Sequence, residues 1–161
     1  MQIYLLRHGI AEDPKPGRPD AERALTSEGR DKLRRVIKRA RNADCSPGLI
    51  LSSPYRRALE TASIAAEILD YKDEIVKTPS LTPEASPADT WKEIRHRHDE
   101  HSILLSSHEP LMSSMVAFLL DSPTLMVDIK KSALVRIDCE HLGPHPKGLL
   151  KWMLTPALCI E

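Results

Sequence analysis

Three short stretches of this chain are apolar at consecutive positions rather than alternate ones: Ile3-Tyr4-Leu5-Leu6, the core of Gly48–Ser52 (GLILS) and the core of Ser102–Ser106 (SILLS). Successive side chains of a strand point to opposite faces, so an unbroken apolar run needs cover on both faces. Helices must then lie on both sides of a sheet, which is the setting in which parallel strands occur. The intervening segments have the periodicity such helices need. From Thr26, a suitable N-cap, the segment TSEGRDKLRRVIKRA places Leu33, Val36, Ile37 and Ala40 at helical spacing, with basic residues on its other faces and late in the segment. After the second strand, Pro54 marks a helix start and Ala58, Ala62, Ala65, Ile68 and Leu69 run down one side.

The remaining elements follow the same order. Glu74–Lys77 reads as a weak strand, Pro87–His98 as a helix, Leu111–Leu120 as another, and Ala133–Asp138 and Leu149–Leu154 as the last strands. The stretch AEDPKPGRPDAERA, crowded with Pro, Asp and Gly, is loop. The expected fold is α/β: a three-layer α/β/α sandwich around a mostly parallel sheet, with residues 1–161 forming a single domain.

Charge excludes several function classes. Lysine plus arginine equals aspartate plus glutamate at 23 each, so no global field draws the chain to nucleic acid or an anionic membrane. The basic helix RDKLRRVIKRAR lacks the interleaved aromatics of a single-strand binder. No run of about eighteen apolar residues is present for a membrane span, and the chain enters a strand without a basic leader region. Cys45, Cys139 and Cys159 are far apart and lack metal-ligand spacing, which suits a reducing, cytoplasmic setting. The expectation is a protein with no metal, no cofactor and no nucleic-acid or membrane partner.

In sheets of this kind, ligands bind outside the carboxyl ends of the strands. There the chain delivers Arg7-His8-Gly9 after the first strand, Ser52-Ser53-Pro54 with Arg56 and Arg57 after the second, and Ser107-His108-Glu109 after the strand SILLS. Arginine grips phosphate oxygens bidentately, and helix starts after Pro54 and Pro110 offer backbone N–H groups. A neutral imidazole is a competent nucleophile near pH 7, and neighbouring arginines disfavour its protonation. Phosphoryl transfer asks mainly for alignment and positive charge around the equatorial oxygens. Two histidines and two arginines supply both without a metal. A competing cluster, His96-Arg97-His98-Asp99-Glu100-His101, nearly spells HxHxDH, but it follows a helix and precedes a strand, and its histidines do not share a helix face. A solvated helix end accounts for it.

Together, RHG, SSPYRRALETA and SSHEP, in that order and each after a strand, resemble the histidine phosphatase (phosphoglycerate mutase-like) superfamily. LRHGIAE, the Asp20-x-x-Arg23-x-Leu25-Thr26 stretch, Leu81-Thr82-Pro83, SHEPL, KSALVRI and KWMLTP narrow the likeness to the SixA-type phosphohistidine phosphatases, almost end to end. The resemblance implies that His8 is phosphorylated during the reaction, that Arg7 and Arg57 bind the phosphoryl group, and that His108 completes the pocket. Arg57 rather than Arg56 fits the family pattern S-P-x-x-R-A-x-x-T. Arg23, with Asp20, is implied at the mouth of the site, and Glu109 is counted among the substrate-binding residues.

Many relatives carry a glutamate after the third strand as general acid; here Pro83 stands at that place, one residue before Glu84. Glu84 and Asp20 are therefore the candidates, and the departure favours a labile N–P bond over an alkyl ester. The short span from Ala62 to Leu81 leaves no room for a helical lid. The expected activity is removal of phosphate from a phosphohistidine on a protein, a histidine phosphotransfer domain. The alternatives are the same chemistry on small phosphoesters, phosphoserine or phosphothreonine, and a phosphate-binding sensor or scaffold without turnover.

Overall fold

In the computed structural model, which describes residues 1–160, the first apolar run forms β1 (Gln2–Arg7) and is completely buried from Ile3 to Leu6. Its alternation divides the core in two. Ile3 and Leu5 join a cluster with Trp91, Ile94, Met112 and Met115, whereas Tyr4 and Leu6 join one with Leu33, Val36, Ile37 and Ala65. The first cluster brings in α3 (Pro87–His96) and α4 (Leu111–Leu119), the second α1 (Ser27–Arg41) and α2 (Arg56–Ile68). The sheet is therefore sandwiched between two helix layers, as its doubly apolar strands require.

The sheet order is β3-β2-β4-β1-β5-β6, with β2 (Leu49–Ser52), β3 (Val76–Lys77), β4 (Ser102–Ser107), β5 (Leu134–Asp138) and β6 (Leu149–Leu154). The first four strands run parallel; β5 and β6 are antiparallel additions at one edge. Steps from β1 to β2 and on to β3 go one way with α1 and α2 on one face, and the return to β4 puts α3 on the other. Right-handed crossovers in opposite directions demand this change of face. β6 is mostly exposed, because an edge strand joined to its neighbour by a return loop needs no covering helix.

Two expected elements are shorter than their patterns. α3 stops at His96 rather than His98, because the residues that follow, Arg97 to His101, carry no apolar side chain to hold another turn against the sheet. β3 keeps only Val76 and Lys77: Thr78 still donates to Ser52 O, and Pro79 then removes the next donor. A single 3-10 turn (Pro79–Leu81) is all that separates β3 from the approach to α3, so no lid is inserted. No helix among the described residues is long and apolar enough to cross a membrane.

For the site, the register matters most. β1 and β2 flank β4, with Arg7 opposite Ser107 and Ser52 opposite Ser106. The ladder continues for one more residue, since His8 N donates to Ser107 O at 2.9 Å and Ser53 N to Ser106 O at 3.0 Å. Three adjacent strands thus end level with one another.

Candidate active site

His8 leaves β1 almost fully buried, 6% exposed, with its Nδ1 2.7 Å from Gly9 O. A carbonyl oxygen only accepts, so Nδ1 carries the proton and Nε2 keeps the lone pair. Arg57 Nε donates to that Nε2 at 3.3 Å. Burial, helped by the charges of Arg57, Arg7 and Lys131 and opposed by the Gly9 hydrogen bond, lowers His8 to about 4. The ring is neutral at pH 7, with its nucleophilic nitrogen facing a guanidinium.

The backbone around it explains the glycine that follows. Gly9 N donates to Thr61 Oγ1 at 3.1 Å, and a Cβ at Gly9 would stand 3.2–3.3 Å from Ser132 Oγ, Gly29 O and Leu25 Cδ2. Gly29 is tighter still, since a Cβ there would meet Ile10 O at 2.2 Å. The loop after β1 is thus pressed onto the first turn of α1: the approach leaves no room for a Cβ at Gly29, and one at Gly9 would have to displace its neighbours by a few tenths of an ångström. Thr61 in turn donates to Arg57 O at 2.7 Å, tying this loop to the arginine's own backbone.

Arg57 lies in the first turn of α2, 4% exposed, whereas Arg56 points outward to pair with Glu60 at 3.1 Å. Consecutive helix residues are turned by about 100° from each other, so only one can face the sheet. The Arg57 fork donates to Asp20 O at 2.9 Å and to Asp20 Oδ2 at 3.0 Å, and Tyr55 lies under its Cζ with the ring centroid at 5.0 Å. Arg7 donates through one terminal nitrogen to Ile129 O at 2.7 Å, and its Nε is buried without a partner.

His108 follows β4, 2% exposed, its ring centroid 5.1 Å from that of His8. Burial first, then the neighbouring His8 and Arg57, lowers it to about 3. Its Nε2 is 2.8 Å from Ser53 Oγ, which already accepts from Tyr55 N at 3.2 Å. Ser53 is fully buried and has no other acceptor for its hydroxyl proton among the described residues, so the network closes only if Ser53 donates to Nε2. The His108 proton then sits on Nδ1, which is buried and unpartnered. A donor in that state awaits an acceptor. Ser53→Ala is expected to free the ring to exchange tautomers and to lower kcat by about 10- to 100-fold. Nitrogen-15 chemical shifts of the imidazole report the tautomer directly; an Nε2–H ring in the unaltered protein would contradict this assignment.

The other expected residues are placed as follows. Asp20, in a 3-10 turn over the site, accepts from Arg57 and from Arg23 Nε at 2.8 Å. Burial opposes its charge, but the hydrogen bonds and charges of Arg23 and Arg57 outweigh that and hold the carboxyl below the usual aspartate range. It is poorly suited to donate a proton while so held. Arg23 also donates to Glu12 O at 2.8 Å, fixing the turn at the rim. Glu109 caps α4, accepting from Ser113 N at 2.7 Å, and its charge acts on Arg7. Glu84 is exposed and makes no hydrogen bond or ion pair with His8, His108, Arg7 or Arg57.

His96, His98 and His101 are exposed, and among the described residues no three His, Cys, Asp or Glu side chains are grouped as a metal ion would require. A cavity of about 870 Å³ lies at the opposite end of the sheet, lined by Met1, Gln2 and Ser102 at strand starts, and holds none of the four converging residues.

Three contributors had no assigned role in the sequence. Ser53 and Thr61 fall on the first and last positions of S-P-x-x-R-A-x-x-T, which was the available signal. Ser132 had none: it is fully buried with φ 67°, its N–H is shared between Arg7 O at 3.2 Å and His8 O at 3.1 Å, and its Oγ has no partner. A serine in the left-handed region at the root of a site is held there by its surroundings.

Residues 3–82, which include β1, the Asp20 turn and the α2 motif, match the histidine phosphatase superfamily (branch 1). Across nearly the whole length, the chain is 25% identical to the phosphohistidine phosphatase SixA of Escherichia coli K12, covering 97% of this chain and 94% of that protein. It is 31% identical to an uncharacterized protein of a Picosynechococcus species, with 97% of each covered. Among solved structures, the protein histidine phosphatase SixA complexed with tungstate superposes with a TM-score of 0.85 at 24% identity, covering 98% of both chains, which bears on the fold. By its matched motifs, its end-to-end relatives and its sheet, the chain belongs to the histidine phosphatase superfamily, branch 1, as a phosphatase homologous to SixA.

Proposed function

We propose that this protein removes the phosphoryl group from a phosphorylated histidine on another protein, a histidine phosphotransfer domain, through a phospho-His8 intermediate. The observation that carries the reading is the neutral His8, its Nε2 lone pair set against Arg57 and its other nitrogen committed to Gly9 O. Nε2 attacks phosphorus; the new N–P bond forms as the bond to the substrate imidazole breaks, and that ring, already protonated on its other nitrogen, leaves as neutral imidazole with the bonding electron pair. Arg7, Arg57 and the His108 Nδ1–H stabilise the equatorial oxygens as the charge moves. The Gly9 carbonyl keeps the proton on His8 Nδ1, so the phosphorylated ring has imidazolium character and leaves readily when water attacks phosphorus. Phosphate and neutral His8 are the products.

Asp20 must yield for substrate to bind. Its ion pair with Arg57 has one partner 54% exposed, and pairs with that much water are worth about 1 kcal/mol or less. A phosphoryl dianion offers several charge-assisted hydrogen bonds, each worth about 1.5–3 kcal/mol, and so displaces it. The reading also agrees with the acids: Asp20 is held ionised and Glu84 is out of contact. A leaving imidazole on a labile N–P bond asks less of a general acid than an alkoxide does. The open approach, without a lid, favours a phosphate presented on a protein surface over a free metabolite that needs enclosure.

Rapid quenching with labelled phosphohistidine domain is expected to trap label on the chain that survives alkali and is lost in acid. Acid-stable label, or label retained by His8→Ala, would remove His8 as the nucleophile. Equal catalytic efficiency on a phosphoserine peptide would leave the chemistry standing but overturn the substrate.

A further inference from the structure

Arg7 faces two ways. Besides the phosphoryl site it lines a groove of about 680 Å³, whose other cations are Lys32 and Arg35 from α1 and Lys130 and Lys131 from the loop before β5. Ile10, Pro156, Ala157 and Ile160 are its apolar lining, and no acidic or aromatic residue among the described ones lines it. In a chain of balanced charge this is a local concentration of one sign. Lys32 and Lys130 are paired with Glu28 at 2.6 Å and Asp128 at 2.7 Å, but those acids are 65% and 74% exposed and well solvated. Arg35 and Lys131 have no ion pair among the described residues, and Arg35 Nε is buried without a partner. None of the five hydrogen-bonds the converging histidines or Arg57; Arg7 and Lys131 act on His8 only through their fields.

Like charges gathered around one hollow repel each other, and an anionic surface laid over them relieves that repulsion. Because Arg7 belongs to both sites, a chain whose phosphohistidine sits over His8 has its neighbouring residues over the groove. Apolar walls with a cationic rim fit an apolar side chain flanked by carboxylates. A nucleic-acid strand would instead seek aromatic platforms, which are missing. We infer that the groove is the docking surface for the acidic face of the phosphorylated protein substrate, immediately beside its phosphohistidine. This rests on the phosphohistidine phosphatase reading above and adds to it the charge of the partner.

The test uses two histidine-phosphorylated peptides of equal length, one with aspartate and leucine flanking the phosphohistidine and one with serine and glycine, and the full chain as unaltered protein and as Lys32→Glu/Arg35→Gln. At low ionic strength the unaltered protein is expected to hydrolyse the acidic peptide with kcat/KM about tenfold above the neutral one, the difference residing in KM. About 0.5 M salt should erase the preference, since screening then acts within a few ångströms. The double variant should lose it at any salt while keeping its rate on the neutral peptide and on p-nitrophenyl phosphate. Lys32→Glu alone repeats the test without touching the partly buried Arg35.

Equal efficiency on both peptides, a preference that survives in the variants, or an equal loss on every substrate would overturn the docking role. Sedimentation of the unaltered protein with phosphatidylserine vesicles, abolished in the variant, would overturn it in favour of a membrane surface. Hydrolysis of phosphoserine peptides but of neither phosphohistidine peptide would instead sink the phosphohistidine reading, and the groove's role with it.

Discussion

Replacing His8 with alanine is expected to lower kcat on a phosphohistidine domain by about 10⁴-fold or more, because loss of the attacking atom removes the covalent route and leaves only binding and charge stabilisation. KM should change far less, since on the proposed mechanism Arg7 and Arg57 remain to bind the phosphate. The state of His8 makes a second, independent signature. Burial together with Arg57, Arg7 and Lys131 holds it near 4, so the neutral form predominates from neutral pH down to about 5. Protonation places a hydrogen on Nε2 and abolishes nucleophilicity. The sign is therefore fixed: kcat/KM should stay level as pH falls from 7 to 5 and decline only as it approaches 4, measured over short times to separate it from unfolding. A decline centred near 6.5 would mean that the attacking imidazole is solvated, contrary to its 6% exposure.

The sheet was legible where side chains were apolar on both faces. Ile3 to Leu6 and Ile103 to Leu105 could be nothing but interior strands, and their positions fixed where His8 and His108 emerge. The edge strands carried less signal for a physical reason. Few contacts hold β3, so local accidents such as Pro79 decide its length, and β6 is exposed enough that its residues are only loosely constrained.

In the site, charged and titratable residues announced themselves by their chemistry and their place after a strand. The residues that hold them did not. Ser53 acts by closing a hydrogen-bond chain from Tyr55 N to His108, and Ser132 by a backbone conformation unusual for serine. Neither property exists in one dimension, because each depends on partners from distant segments. Asp20 shows the converse. Its position near the site follows from the motif, but that it occupies the Arg57 fork is a matter of geometry alone.

That fork gives the second large effect. Arg57→Ala is expected to reduce kcat by about 10³-fold, in the range seen when one preorganised charge or donor is removed from a phosphoryl or oxyanion site. Three consequences of the substitution add. The guanidinium is lost from the equatorial oxygens; the hydrogen bond at 3.3 Å that orients His8 Nε2 is lost; and Asp20, released from Arg57, keeps only Arg23 and remains a carboxylate beside an anionic substrate. Arg57→Lys should recover only a small part, since an ammonium is a point charge and cannot address two oxygens in the plane of a fork. Arg56→Ala, by contrast, removes an exposed pair with Glu60 and should alter kcat by no more than about threefold, within what a surface ion pair can contribute. The comparison is decisive because the two residues are adjacent on one helix and differ only in the face they present. Comparable losses from Arg56→Ala and Arg57→Ala, with both variants unfolding at the temperature of the unaltered protein, would show that the phosphoryl group is not held at the Arg57 fork.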